Sequence, residues 1–160
     1  MGAGNCLYKL GKKRKAGQYF EKSHEIDPED VDSYLIEGRM YMEDGDFDKA
    51  VKKWALALER APYADTWNEI GIYSMEFGQL NHARMAFEHV KELEPDFENI
   101  NEKLASLYLL LKDKENFQKY NQLCKRPFQL EDLKKIEEML ESEDKEELAQ
   151  AMKNILNALQ

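Results

Sequence analysis

The chain has 160 residues, 42% hydrophobic and 34% charged, with a formal charge of −9 and an isoelectric point near 5. That size suits one domain or one short solenoid, and the acidic balance repels a phosphate backbone, so nucleic-acid binding is set aside. No apolar run approaches the roughly 18 residues of a membrane span, Met1 leads into small residues and lysines rather than a signal stretch, and two distant cysteines, Cys6 and Cys124, form no disulfide framework, so a reducing, cytoplasmic setting is expected.

Self-similarity organises the elements. The first unit, about 1–30, holds a short helix around Gly4, a turn at Gly11, a second helix with Ala16 and Phe20, and a stop at Pro28. The second, 31–63, repeats these as Gly38, Gly45, Ala50, Trp54 and Pro62. The third, 64–97, repeats them as Gly71, Gly78, Ala83, Phe87 and Pro95. Five positions thus keep one register, with steps of 33 or 34 residues. A mid-helix glycine such as Gly38 costs roughly 1 kcal/mol against alanine, which makes sense if a neighbouring helix passes close by. Ala50 and Ala83 are the small partners on the facing helix, and Trp54 and Phe87 lie one turn on along the same face. Gly45 and Gly78 fall where the first helix stops, and the prolines end the second, since proline cannot continue a helix.

A fourth unit, 98–127, is degenerate: Leu104, Ala105 and Tyr108 fit, but Phe117 replaces the small residue and Asn121 the large one. Residues 128–160 carry no repeat yet read as helix, with Leu130, Leu133, Ile136, Met139 and Leu140 on one face, and Leu148, Met152, Ile155, Leu156 and Leu159 on another. The plain reading is a helical cap over an open solenoid end; the alternative is a dimerisation or partner-binding arm.

These residues resemble the tetratricopeptide repeat (TPR) family. Its pattern is W-x₂-L-G-x₂-Y, A-x₃-F, then P over 34 residues. Here it reads Tyr34-x₂-Glu37-Gly38-x₂-Tyr41, Ala50-x₃-Trp54, Pro62, and then Trp67-x₂-Ile70-Gly71, Ala83-x₃-Phe87, Pro95, with Ser74 in the second aromatic position. The resemblance covers residues 3–97 and fades by about 125. It implies an all-α, right-handed α-solenoid of antiparallel helix hairpins, organised as a TPR-like array over 1–127 and a cap over 128–160. It also implies that the first helix of each pair lines a concave groove.

On a solenoid that groove is the default binding surface. Spacing assigns Leu35, Ile36, Arg39, Met42 and Glu43 to it in the second unit, Asn68, Glu69, Ile72, Met75 and Glu76 in the third, and Glu102, Lys103 and Leu109 in the fourth; the first adds Asn5, Tyr8 and Lys9. The apolar stripe is adaptable because methionine repacks readily. Acids at Asp32, Glu43, Asp65, Glu69, Glu76 and Glu102 rim it. The expected partner is a protein or peptide with apolar anchors and some positive charge. The competing reading is that these side chains fill contacts between units or lie under the C-terminal helices. One TPR subgroup grips chaperone C-terminal carboxylates through cationic and amide side chains. The corresponding positions hold Gly2, Asn5, Ile36, Asp65 and Glu69, or Leu35, Arg39, Glu69, Asn99 and Lys103. Neither set gathers enough donors, so that function is not expected.

Lys12-Lys13-Arg14-Lys15 is the strongest charge run. From Lys9 to Lys22 there are six bases and one acid, against four bases and nine acids in 128–160. The run reads as a solvated turn; a nuclear-import signal, an acidic-partner contact or head-to-tail self-association are the alternatives. No catalytic, cofactor or metal constellation stands out: His82 and His89 are two helical turns apart, too far for one ion, and the glycines are explained by repeat geometry. The chain therefore reads as a non-enzymatic protein–protein interaction adaptor that binds a peptide or helix in its groove. Alternatives are a small dedicated chaperone resembling the class II type III secretion chaperones, a scaffold fragment of a larger protein (suggested by the short first helix), or a self-assembling structural protein.

Overall fold

A computed structural model of the chain describes residues 3–129. The cap expected over 128–160 lies almost entirely outside the described residues. Among those described, all regular structure is helical: α1 Ala3–Lys9, α2 Lys13–Ile26, α3 Val31–Glu43, α4 Phe47–Arg60, α5 Ala64–Glu76, α6 Leu80–Leu93, α7 Ile100–Leu110 and α8 Lys114–Asn121. They pair as α1/α2, α3/α4, α5/α6 and α7/α8. The chain divides into two compact units, Met1–Thr66 and Trp67–Gln160, with the border inside α5. In the first, α2 also packs on α3; in the second, α6 packs on α7. This is the all-α architecture of tandem TPR-like hairpins.

One contact recurs inside the hairpins. Gly38 faces the edge of the Trp54 indole so closely that a Cβ on Gly38 would overlap the ring. A Cβ on Gly4 would fall 2.6 Å from Phe20 Cζ, and one on Gly71 would fall 2.5 Å from Phe87 Cε1. The rings are sealed, with Phe20 and Trp54 each 3% exposed and Phe87 fully buried, and Ala16, Ala50 and Ala83 beside them have no exposed surface. The indole Nε1 keeps a partner in this apolar setting by donating to the Leu35 carbonyl at 3.3 Å.

The turns recur as well. After α1, α3 and α5 the second residue past the helix is a glycine with positive φ: Gly11 at 73°, Gly45 at 78° and Gly78 at 72°. Gly45 N–H donates to Met42 O at 3.0 Å and Asp46 N–H to Tyr41 O at 2.8 Å, the paired bonds of a Schellman motif. Gly11 with Lys12, and Gly78 with Gln79, reproduce both bonds. After α7 the same pair is made by Lys112 and Asp113, so a lysine occupies the left-handed position, at φ 58°. Asp46 and Asp113 then start α4 and α8 as N-caps, accepting from Lys49 N–H at 3.3 Å and Asn116 N–H at 3.1 Å. The second helices end alike: α2, α4 and α6 each stop two residues before Pro28, Pro62 or Pro95, with Asp27, Ala61 and Glu94 held extended as a following proline demands.

The degenerate hairpin redistributes bulk. Ala105 stands where the others have glycine and Asn121 where they have the ring. Phe117 and Tyr120 supply the buried aromatics instead, with Tyr120 stacked on Tyr108 at 5.5 Å. Asn121 uses its Oδ1 to accept Phe128 N–H at 2.7 Å.

Two stability measurements follow from these geometries. Gly38→Ala is expected to destabilise the protein by about 1–3 kcal/mol, the usual range for overpacking, and by distinctly less in a Trp54→Leu background; additive effects in urea titrations would refute the close approach. Lys112→Gly is expected to stabilise by roughly 1 kcal/mol by removing the left-handed penalty, visible as a higher urea midpoint, whereas an unchanged or lowered midpoint would contradict it.

Candidate functional site

Within Met1–Thr66, α1, the turn after it and α3 enclose a cleft of about 400 Å³ lined by Asn5, Tyr8, Lys9, Gly11, Lys13, Ile36, Arg39, Met40 and Glu43. α3 is wedged between α2 and α4, which leaves one stripe of its surface for the cleft. Ile36, Arg39, Met40 and Glu43 share that stripe because they are three, four or seven residues apart. Ile36 and Met40 pack with Leu7 against the core formed by Tyr8, Ala16 and Phe20, so the floor is apolar and anchored.

The rim is polar. Tyr8 is 7% exposed, and its hydroxyl lies 3.4 Å from both Met40 O and Asp44 Oδ1, able to donate to either. Burial, then the carboxylates of Glu43 and Asp44, hold that hydroxyl well above the ordinary tyrosine range. Lys13 forms an ion pair with Asp44 and lies 5.5 Å from the Tyr8 ring centroid.

The groove positions assigned from spacing divide into three groups. Ile36, Arg39 and Glu43 line the cleft together with Asn5, Tyr8 and Lys9. Leu35 and Met42 on α3 are buried at 5% and 7%, as is Met75 on α5 at 0%, so these three side chains are turned from solvent. In Trp67–Gln160, Ile72, Glu69 and Leu109 are half-buried and Glu76 is exposed, while Asn68, Glu102 and Lys103 are buried at 9%, 8% and 8%. Lys103 Nζ donates to Asn68 Oδ1 at 2.7 Å and lies 5.4 Å from the Phe97 ring centroid. Glu102 accepts Lys125 N–H at 2.9 Å. Burial pulls the Lys103 ammonium below its ordinary range, opposed by Glu69, Glu98 and Glu102. Three cleft residues, Gly11, Lys13 and Met40, lie outside the positions that spacing assigns. Met40 lies one turn from Ile36 and was findable by that step. Lys13, which the charge run assigns to a solvated turn, opens α2 beside the cleft, and Gly11 precedes it in the lining; nothing in the register records that placement.

A second polar cluster joins α2 to α3. Glu37, 6% exposed, occupies the family's leucine position and is matched by His24 Nε2 at 2.7 Å and Lys53 Nζ at 2.8 Å. His24 Nδ1 sits 3.2 Å from Ser33 Oγ, and its ring stacks on Tyr34 at 3.9 Å. Cys124 is buried, which pushes its thiol up to about 11, with Glu102 adding to the effect; Cys6 is exposed. Among the described residues no group of three or more His, Cys, Asp or Glu side chains is placed to hold a metal ion, and no helix is long and apolar enough to cross a membrane.

Lys103 gives a pH test. Its folded-state pKa is lowered from 10.5, so the unfolded chain binds more protons just below that value, and this group's contribution to stability rises with pH there. The stability of the wild type relative to Lys103→Met is therefore expected to increase from neutral pH toward 10.5. The buried tyrosines cancel in that difference, and a flat difference would exclude the burial effect.

No curated protein matches the chain. Residues 1–30, which hold α1, α2 and one wall of the cleft, match the family model of the tetratricopeptide repeat. The match falls on the first hairpin, whose turn and glycine–aromatic packing the next two hairpins repeat.

Proposed function

We propose that the chain is a non-catalytic binding module that holds a polypeptide segment against the inner helices of its hairpins, with the α1–α3 cleft as the anchoring point. Tetratricopeptide repeats generally mediate protein–protein interaction, and residues 1–30 match that family. The observation that carries the reading is the cleft itself: an apolar floor of Ile36 and Met40 beneath polar groups at the rim. Small-molecule and peptide sites are typically built this way, with a few polar groups fixing orientation over apolar walls. A volume of about 400 Å³ holds one or two large apolar side chains, which fits a peptide or helix that inserts an anchor residue. In this reading the protein acts as an adaptor, with recognition at the cleft of its first unit.

Placing a photo-crosslinking phenylalanine analogue at Ile36 tests this. Irradiation in the native cell extract is expected to yield a discrete adduct with another polypeptide. The same analogue at Met85, which is 50% exposed on α6, is expected to yield none, and Met40→Glu is expected to reduce the Ile36 adduct several-fold. Equal labelling from both positions, or an adduct indifferent to Met40→Glu with helicity unchanged, would move binding away from the cleft.

A further inference from the structure

Resting on the cleft as the binding surface, we infer that the segment it takes is acidic: an apolar anchor flanked by side-chain carboxylates. The carboxylates along the inner helices suggest the opposite, a positively charged partner. In the first unit the geometry reverses that expectation. Residues 1–20 contain five bases (Lys9, Lys12, Lys13, Arg14 and Lys15) and no acid, and α1 and its turn bring Lys9 and Lys13 to the rim of the cleft opposite Ile36. Lys12, Arg14 and Lys15 stand exposed beside them. Of the acids nearby, Asp44 is already engaged by Lys13, and Glu43 is the one acid in a lining that holds three bases, Lys9, Lys13 and Arg39. The side chains of the Lys13–Asp44 pair are 58% and 36% exposed, and such a surface pair is worth little, so Lys13 can turn to an incoming carboxylate at small expense. An excess of positive charge around an apolar floor selects by complementarity and speeds encounter. Recognition here is of side-chain carboxylates along the segment and needs no free chain terminus.

The probe is a fluorescent peptide, acetylated and amidated at its ends, with a Leu-Leu pair flanked by glutamates, titrated against the full chain. It is expected to bind about tenfold or more tightly than the same peptide with lysines in place of the glutamates, to weaken as salt is added, and to lose that advantage in Lys9→Glu/Lys13→Glu. Replacing the leucines by serine is expected to abolish binding. Should the double variant lose helicity, the salt series and the peptide pair on the wild type decide the matter. Equal or tighter binding of the lysine peptide, insensitivity to salt, or full binding by a helical double variant would each overturn the inference. Salt-sensitive self-association that the double variant loses would also overturn it, by making a second copy of the chain the occupant. An Ile36 adduct that persists after any of these results leaves the cleft as the binding site and removes only the charge assignment.

Discussion

An aromatic ring resting on bare helix backbone is the contact on which the rest of the structure depends. At Gly38 the indole of Trp54 occupies space that any side chain would claim, and Phe20 and Phe87 do the same at Gly4 and Gly71. Absence of a Cβ sets how closely the two helices of a hairpin approach, and the sealed ring supplies much of the apolar burial that holds them there. Once that distance is fixed, the connecting turn has little choice. It must reverse the chain within a few residues, which the left-handed residue and its two backbone hydrogen bonds accomplish. The last hairpin shows the dependence by exception. With Ala105 at the close approach, the ring position falls to Asn121, and the aromatic load shifts to Phe117, Tyr120 and Tyr108.

Two buried charged residues inside this framework, Glu37 and Lys103, are matched by polar partners. Glu37 would be an expensive intrusion at an apolar position, but His24 and Lys53 both reach its Oε2, so the same side chain that departs from the family pattern ties α2 and α4 to α3. Lys103 and Asn68 satisfy each other in the same way. Glu102 counts as a rim charge when the sequence is read, yet it is buried and accepts the Lys125 amide N–H.

The helices, their pairing and their ends were legible from the sequence because each rests on local chemistry: glycine where a ring or a positive φ demands it, proline where a helix must stop. The site was legible only in part. Helical spacing groups Ile36, Arg39 and Glu43, which line one cleft, but it cannot say how wide an open stripe remains once a helix has neighbours on two sides. α3 packs on both α2 and α4, so its free stripe narrows, and Leu35 and Met42 fall just outside it. Lys112 was invisible for a related reason. A lysine carries no turn signal, and its left-handed backbone is imposed by the α7–α8 reversal rather than chosen by the residue. The cationic rim depends on the end of α1 and the start of α2 meeting a face of α3, a non-local event that no periodicity records.

The two tryptophans fall on opposite sides of the border between the compact units. Trp54 is sealed in Met1–Thr66, whereas Trp67 opens Trp67–Gln160, with its ring 4.6 Å from that of His89. The protein thus carries a separate optical reporter for each half. Emission from a variant keeping only Trp54 follows the hairpin that bears the cleft, and emission from one keeping only Trp67 follows the remainder. Coincident traces would describe one cooperative body, and separated traces would describe an array that melts in stages.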